Sequence, residues 1–210
     1  MKKTLVLVIM FVLPIVVYLF FASGVYNFGK LPVLTEDVAE LRSSDGSVYL
    51  KDKITVLGFL GSDLESKKGI AFNLNQKIYK RFYEFDDFQF VMVVPKGTEE
   101  KVAELKKELA QITDNQKWNF AYLENKAITD LFKSLKTNQR LDENLATPYV
   151  FIIDKDKKLR GRNDDEDEGT KYGFDATSVA ELNNKMVDDV KIILAEYRLA
   201  LKKNNAVREK

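Results

Sequence analysis

The sequence predicts an α/β domain, a central and mostly parallel sheet with helices on both faces, carried behind an apolar N-terminal segment. Short continuous apolar runs recur at Ile54–Leu60, Phe88–Val94 and Tyr149–Ile153. Runs of that length, bounded by charge, glycine or proline, read as strands buried on both faces. Between them lie stretches with apolar residues every three or four positions, the period of a helix packed on one side. The two kinds of segment alternate as β-α-β-α-β-α-β-β-α, an order that calls for parallel strands joined by crossover helices.

The elements follow in order. Ile54–Leu60 is the first core strand, and Ile70, Leu74, Ile78 and Phe82, spaced by four, predict a helix over roughly 66–84. Phe88–Val94 is the second strand, stopped by Pro95. Thr98 is a candidate cap for the next helix, with Glu99 and Glu100 in its positive first turn and Val102, Leu105, Leu109 and Ile112 as its inner stripe. Trp118–Leu123 is the third strand, and Asn125 is placed to cap a short helix bearing Ile128, Leu131 and Leu135. Thr147-Pro148 opens the fourth strand, where a missing N–H is least costly. Asp154 to Lys158 turns the chain, and Leu159–Arg162 returns as an edge strand. Ser178-x-x-Glu181 is a capping box ahead of one long helix whose stripe is Val179, Leu182, Met186, Val190, Ile193, Tyr197 and Leu201. Ser43-Ser44-Asp45-Gly46 reads as a turn. The aromatic set Tyr79, Phe82, Tyr83, Phe85, Phe88 and Phe90 reads as core.

The N-terminus is a separate unit. Lys2 and Lys3 precede an apolar run from Leu5 to Ala22, about 18 residues, which as a helix spans roughly 27 Å, close to a hydrocarbon core. Residues 1–23 are therefore a transmembrane anchor or a cleaved signal peptide, for which Ala22-Ser23-Gly24 offers small residues at the cut. Residues 24–36 are a linker with Gly24, Gly29 and Pro32, 37–204 the folded domain and 205–210 a polar tail. The two lysines stay inside, so the domain faces outward: a single-pass protein of the cytoplasmic membrane with its domain in the periplasm or otherwise outside the cytoplasm.

Composition excludes more than it assigns. The chain has no cysteine and no histidine. Thiolate chemistry, disulfides and Fe–S ligation are excluded, and so are the usual general base near neutral pH and the usual zinc ligand. Lysine plus arginine number 33 against 32 aspartates and glutamates, so no basic excess invites a nucleic acid. No Gly-rich phosphate loop is present, and no cofactor is expected.

Leu31-Pro32, Asp45-Gly46, Ile54 to Phe59, Phe90 to Val94, Thr147-Pro148-Tyr149-Val150-Phe151-Ile152-Ile153-Asp154, Leu159-Arg160-Gly161-Arg162 and Asp188 to Leu194 form an ordered series. That series resembles the thioredoxin-like superfamily, and within it the Sco/SenC copper chaperones, over roughly residues 30–200. The resemblance implies a Cys-x-x-x-Cys pair in the loop after the first core strand and a histidine further on. Here that loop is Gly61-Ser62-Asp63-Leu64-Glu65-Ser66-Lys67-Lys68-Gly69. The copper and disulfide functions do not carry over, and no copper partner is expected.

The candidate sites are correspondingly bland in chemistry. Ser62, Asp63, Leu64, Glu65, Ser66 and Lys67 form a candidate partner-binding loop at a helix N-terminus. Thr147 and Pro148 are a candidate cis-proline site, by resemblance, with backbone able to pair with an extended peptide. These readings give a non-catalytic module with a membrane attachment and a protein partner. Two alternatives stay open. The acidic loop Asn163 to Gly169 is a cation site built from carboxylates. Asp63 and Glu65 form a carboxylate acid–base pair. Ser62 or Ser66 as a nucleophile would need a lysine base, and Lys67 and Lys68 are too exposed by pattern to serve.

Overall fold

The structure, a computed structural model, describes residues 9–17, 30–41 and 48–208, with side chains through residue 200. Lys2 and Lys3, most of the apolar run, the Ala22-Ser23-Gly24 stretch and the Ser43–Gly46 turn lie outside the described residues. Helix α1 covers 9–17, and all of its large apolar side chains are exposed. No described helix is long and apolar enough to cross a membrane.

Strands β2 (Ile54–Phe59), β3 (Phe88–Pro95) and β4 (Trp118–Leu123) form the parallel part of the main sheet. Strand β5 (Tyr149–Ile153) lies on the other side of β2 and runs antiparallel to it, Val56 facing Ile152. Strands β6 (Leu159–Arg160) and β1 (Val33–Thr35) continue outward, both pairings antiparallel, in the order β1-β6-β5-β2-β3-β4. The expected mostly parallel sheet is therefore a mixed one. The chain from the third crossover helix enters β5 from the opposite end, and a connection of that length permits either direction.

Alternate residues of the central strands feed two cores. Val56, Phe90, Met92, Val94 and Ile152 face one side, and Leu57, Phe59, Val91, Val93, Phe151 and Ile153 the other. This is why the strands are apolar on both faces, broken only by Thr55, Gln89 and Asn119, whose side chains hydrogen-bond to one another across β2, β3 and β4. The first core lies under α2 (Leu64–Leu74), α3 (Lys80–Phe82), α4 (Glu99–Ala110) and α7 (Val187–Arg208). The second lies under α5 (Asn125–Ser134) and the segment around Val38 and Leu50. In the first core Phe90 stacks on Trp118 with centroids 4.8 Å apart, and Tyr79 meets Phe90 edge-on at 5.3 Å. Phe85, expected in this cluster, is instead exposed.

Local details depart from expectation for identifiable reasons. The helix expected over 66–84 is broken by a π-helical turn at Asn75–Tyr79, and the last long helix by another at Leu182–Met186, between α6 (Val179–Glu181) and α7. Thr98 sits at the cap position of α4, but its hydroxyl donates to Pro95 O at 2.8 Å and caps nothing. Glu124, not Asn125, precedes α5. Ser178 does accept from Glu181 N–H at 3.2 Å, while the Glu181 carboxylate reaches Asp175 N–H instead of closing the box.

The expected linker contains β1, because Gly161 N–H donates to Pro32 O and Leu31 is buried. Strand β6 is consequently second from the edge. Arg162 leaves the sheet to open a hairpin of β7 (Arg162–Asp165) and β8 (Gly169–Lys171), after which β9 (Phe174–Asp175) rejoins β5. Helix α7 runs through Arg208, into the expected tail.

Candidate functional site

The parallel strands end together, and the loop after β2 emerges at that rim, where open α/β sheets place their sites. Gly61 makes the exit possible. Its φ is +66°, and a Cβ there would lie 2.3 Å from Asn144 O. Only glycine tolerates both conditions without displacement. Beyond it, Ser62 N–H donates to Asn144 O at 3.0 Å, Ser62 Oγ lies 3.3 Å from Asn144 Oδ1, and Lys101 Nζ donates to Ser62 O at 3.3 Å.

The opposing loop is itself preorganised. Asp142 Oδ1 accepts from Asn144 N–H at 2.9 Å and Ala146 N–H at 2.8 Å, and its Oδ2 lies 3.5 Å from Lys67 Nζ. The loop predicted to meet partners is thus tied at Ser62 and Lys67 to residues 142–146. Asn144, Asp142 and Lys101 were not among the expected site residues. Asp142-Glu143-Asn144 is a local turn signal, but nothing local marks a contact between residues 82 apart.

Helix α2 starts from this loop. Asp63 occupies the cap, accepting from Ser66 N–H at 3.4 Å, and Ser66 Oγ donates to Asp63 O at 3.1 Å. Leu64 is buried and pins the first turn, while Asp63, Glu65 and Ser66 face solvent. Glu65 pairs with Lys68 at 2.8 Å, and Lys68 also meets Glu108 at 2.9 Å. The Lys68 ammonium donates to Glu65 and Glu108, and the two carboxylates hold it above its ordinary value, in its charged form. Asp63 is committed to the cap and Glu65 to Lys68, so the two carboxylates do not converge as an acid–base pair.

Ser62 and Ser66, four residues apart, put hydroxyls and no thiol in this loop.

The expected cis bond before Pro148 is a correction: no cis peptide bond occurs among the described residues. The trans form suits the pairing on either side. Thr147 N–H donates to Phe59 O at 3.0 Å, and Pro148 O accepts from Ala176 N–H at 2.9 Å. Ala146 is likewise engaged, its carbonyl accepting from Asp142 N–H at 2.8 Å. The backbone expected to receive a peptide already serves the domain's own loops.

The acidic loop is also engaged. Lys185 Nζ lies 2.7 Å from both Asp165 Oδ1 and Asp167 Oδ2. Burial alone would raise the Asp165 carboxyl, but Lys185 and the N–H groups of Asp167 and Glu168 hold it below its ordinary value. Around it, Arg162 makes a bidentate pair with buried Asp189 at 2.9 and 2.7 Å, and buried Lys171 meets Glu168 and, at 2.8 Å, Glu181. No cluster of three carboxylates able to hold a metal occurs among the described residues.

A mixed sheet with three parallel strands, an antiparallel β5 behind a proline, and helices on both faces is a recognisable architecture. No protein-family model matches the sequence, and no curated protein matches it. Solved structures do. A SCO1/SenC family lipoprotein from Bacillus anthracis str. Ames superposes with a TM-score of 0.53 at 19% identity, covering 79% of this chain and 98% of that one. The fold is thioredoxin-like. BsSco, a member of the Sco family of cytochrome c oxidase assembly proteins in which a disulfide switch is described, matches with a TM-score of 0.51 at 16% identity over 77% of this chain and 95% of its own. A putative electron transport protein from Aquifex aeolicus VF5 matches at 0.51 and 17% identity over 79% and 98%. The thioredoxin-like domain of the present chain shares that scaffold and lacks every sulfur atom a disulfide switch requires.

Proposed function

We propose that this chain is a membrane-anchored, non-catalytic thioredoxin-like module that faces outward from the cytoplasmic membrane and binds a protein partner at the rim formed by residues 62–67 and 142–148. The observation that carries the reading is the replacement of reactive chemistry by fastening. The loop after β2 has hydroxyls at Ser62 and Ser66 and is held by Asn144, Lys101 and Asp142. A loop so fixed presents Asp63, Glu65 and Ser66 to solvent in one geometry, and preorganisation lowers the ordering cost of association. The apolar run from Leu5 to Ala22 and the exposed apolar side chains of α1 support the membrane attachment.

A photoreactive residue placed at Glu65 of the full chain in intact cells tests the reading. The expected result is one adduct of defined size, missing when the photoreactive residue is at Asp130 on α5. Equal, diffuse labelling from both positions contradicts a dedicated rim.

A further inference from the structure

Phe85 lies in the turn between α3 and β3 and is 41% exposed, while Phe82 and Phe88 on either side of it are buried. The turn itself is firmly held. Phe85 N–H donates to Phe82 O at 3.1 Å, and Phe85 O accepts from Phe88 N–H at 3.1 Å and from Lys117 Nζ at 2.6 Å. A lone exposed ring needs no explanation. This one borders a hollow of 160 Å³ lined by Phe82, Phe85, Leu194 and Ala195 and by Lys191 and Arg198 of α7. An apolar cavity of about 150 Å³ accepts benzene, so the hollow has room for one phenyl ring.

A second hollow shares Phe85, Leu194 and Arg198 with the first and adds Glu84, Asp86 and Asp87. The charges around the two fall into two groups. Asp87 is paired with Lys155, and Lys191 with Asp188 at 2.9 Å. Glu84, Asp86 and Arg198 are exposed, and no ion pair engages their side chains among the described residues. They line one hollow without closing on each other.

One patch therefore carries a projecting ring, a hollow of a ring's size, two unpaired carboxylates and an unpaired guanidinium. Such a patch is complementary to itself, because a two-fold axis sets each feature of one copy against its counterpart on the other. A partner of a single charge sign would leave either Arg198 or the carboxylates facing like charge. We infer that two copies of this chain pair through this patch. Each Phe85 ring enters the other copy's hollow, and each Arg198 meets Glu84 and Asp86 of the other copy. Since Phe85 also lines the hollow, the two rings form an aromatic pair at the axis. The patch sits beside Ile54 and Asp87, at the amino ends of β2 and β3. The pairing leaves the 62–67 rim, at the carboxyl end of β2, uncovered and does not depend on how that rim is read.

The chain has no native cysteine, so Lys80→Cys places a single nitroxide label one helical turn before Glu84 in the full chain. In detergent solution the dipolar coupling between the labels of two copies rises with protein concentration. Phe85→Ser keeps Tm within a few degrees of the parent's and weakens the pairing about a hundredfold, about tenfold for each ring withdrawn. Arg198→Glu loses the coupling, and so does Glu84→Lys combined with Asp86→Lys, because each sets like charges together. Mixing those two variants restores it, since the carboxylates of one then meet the cations of the other. Coupling that survives Phe85→Ser, a mixture no more coupled than its components, or a parent uncoupled up to millimolar protein overturns the inference.

Discussion

Replacing Gly61 with alanine is the sharpest perturbation of the rim. Two penalties add. The residue has φ +66°, a conformation that costs a residue with a Cβ about 1–2 kcal/mol. The new Cβ would also stand 2.3 Å from Asn144 O, which forces the 142–146 loop away. That movement breaks the Ser62 N–H bond to Asn144 O and the Ser62–Asn144 side-chain contact, each worth about 1 kcal/mol. Gly61→Ala therefore costs about 3–4 kcal/mol.

Gly97 is the control, since its φ is +88° and nothing lies within 4 Å of its Cβ position. Gly97→Ala pays only the backbone term. In a chain of this size about 2–4 °C of Tm follows each kcal/mol, so the two variants differ by roughly 4–8 °C in a calorimetric melt of the full chain. Equal losses would mean that the contact with Asn144 contributes nothing and that the rim is not fastened.

Three further outcomes follow from the buried polar groups. Asn75 is fully buried in the π-helical turn with neither amide atom paired, so Asn75→Leu raises Tm by several degrees, and a fall would reveal a hidden partner. Alkaline pH destabilises. Hydrogen bonds with Asp165 and Asp167 hold Lys185 above its ordinary value, and Glu168 and Glu181 overcome burial to do the same for Lys171. Such groups contribute stability that is fully present below the unfolded lysine value of about 10.4 and is lost as pH rises through the folded value. Burial raises the Tyr197 hydroxyl and acts in the same direction. Urea midpoints should hold from neutral pH to about pH 9.5 and fall above it, less steeply in Lys185→Met, and a rise above pH 10 would contradict the pairings. Millimolar calcium leaves Tm unchanged, because Lys185 already occupies Asp165 and Asp167, and a concentration-dependent increase would restore the cation reading.

The strands were legible because each is sandwiched between two cores, which keeps polar positions to one per central strand: Thr55, Gln89 and Asn119. In Phe88–Val94, Phe90 and Val91 serve opposite cores. The direction of β5 was not legible, since direction depends on how a long connection is routed. Strand β1 escaped notice because three residues beside Pro32 carry no periodicity, and their pairing depends on Gly161, more than a hundred residues away. Thr98 holds the cap position of α4 with its hydroxyl turned to donate to Pro95 O, an orientation that no local pattern marks. At the rim, the loop after β2 and its lack of cysteine could be read directly. The ties to Asn144 and Asp142 could not, because they join loops distant in sequence and leave no local mark.

The most direct measurement is a Cu(I) titration of the purified full chain against a chromophoric chelator. With hydroxyls at Ser62 and Ser66 and no cysteine or histidine anywhere, the protein should leave the chelator fully loaded. One equivalent of copper drawn from the chelator, and lost again in Ser62→Ala or Ser66→Ala, would contradict a thioredoxin-like scaffold that offers no cysteine or histidine ligand to a soft metal.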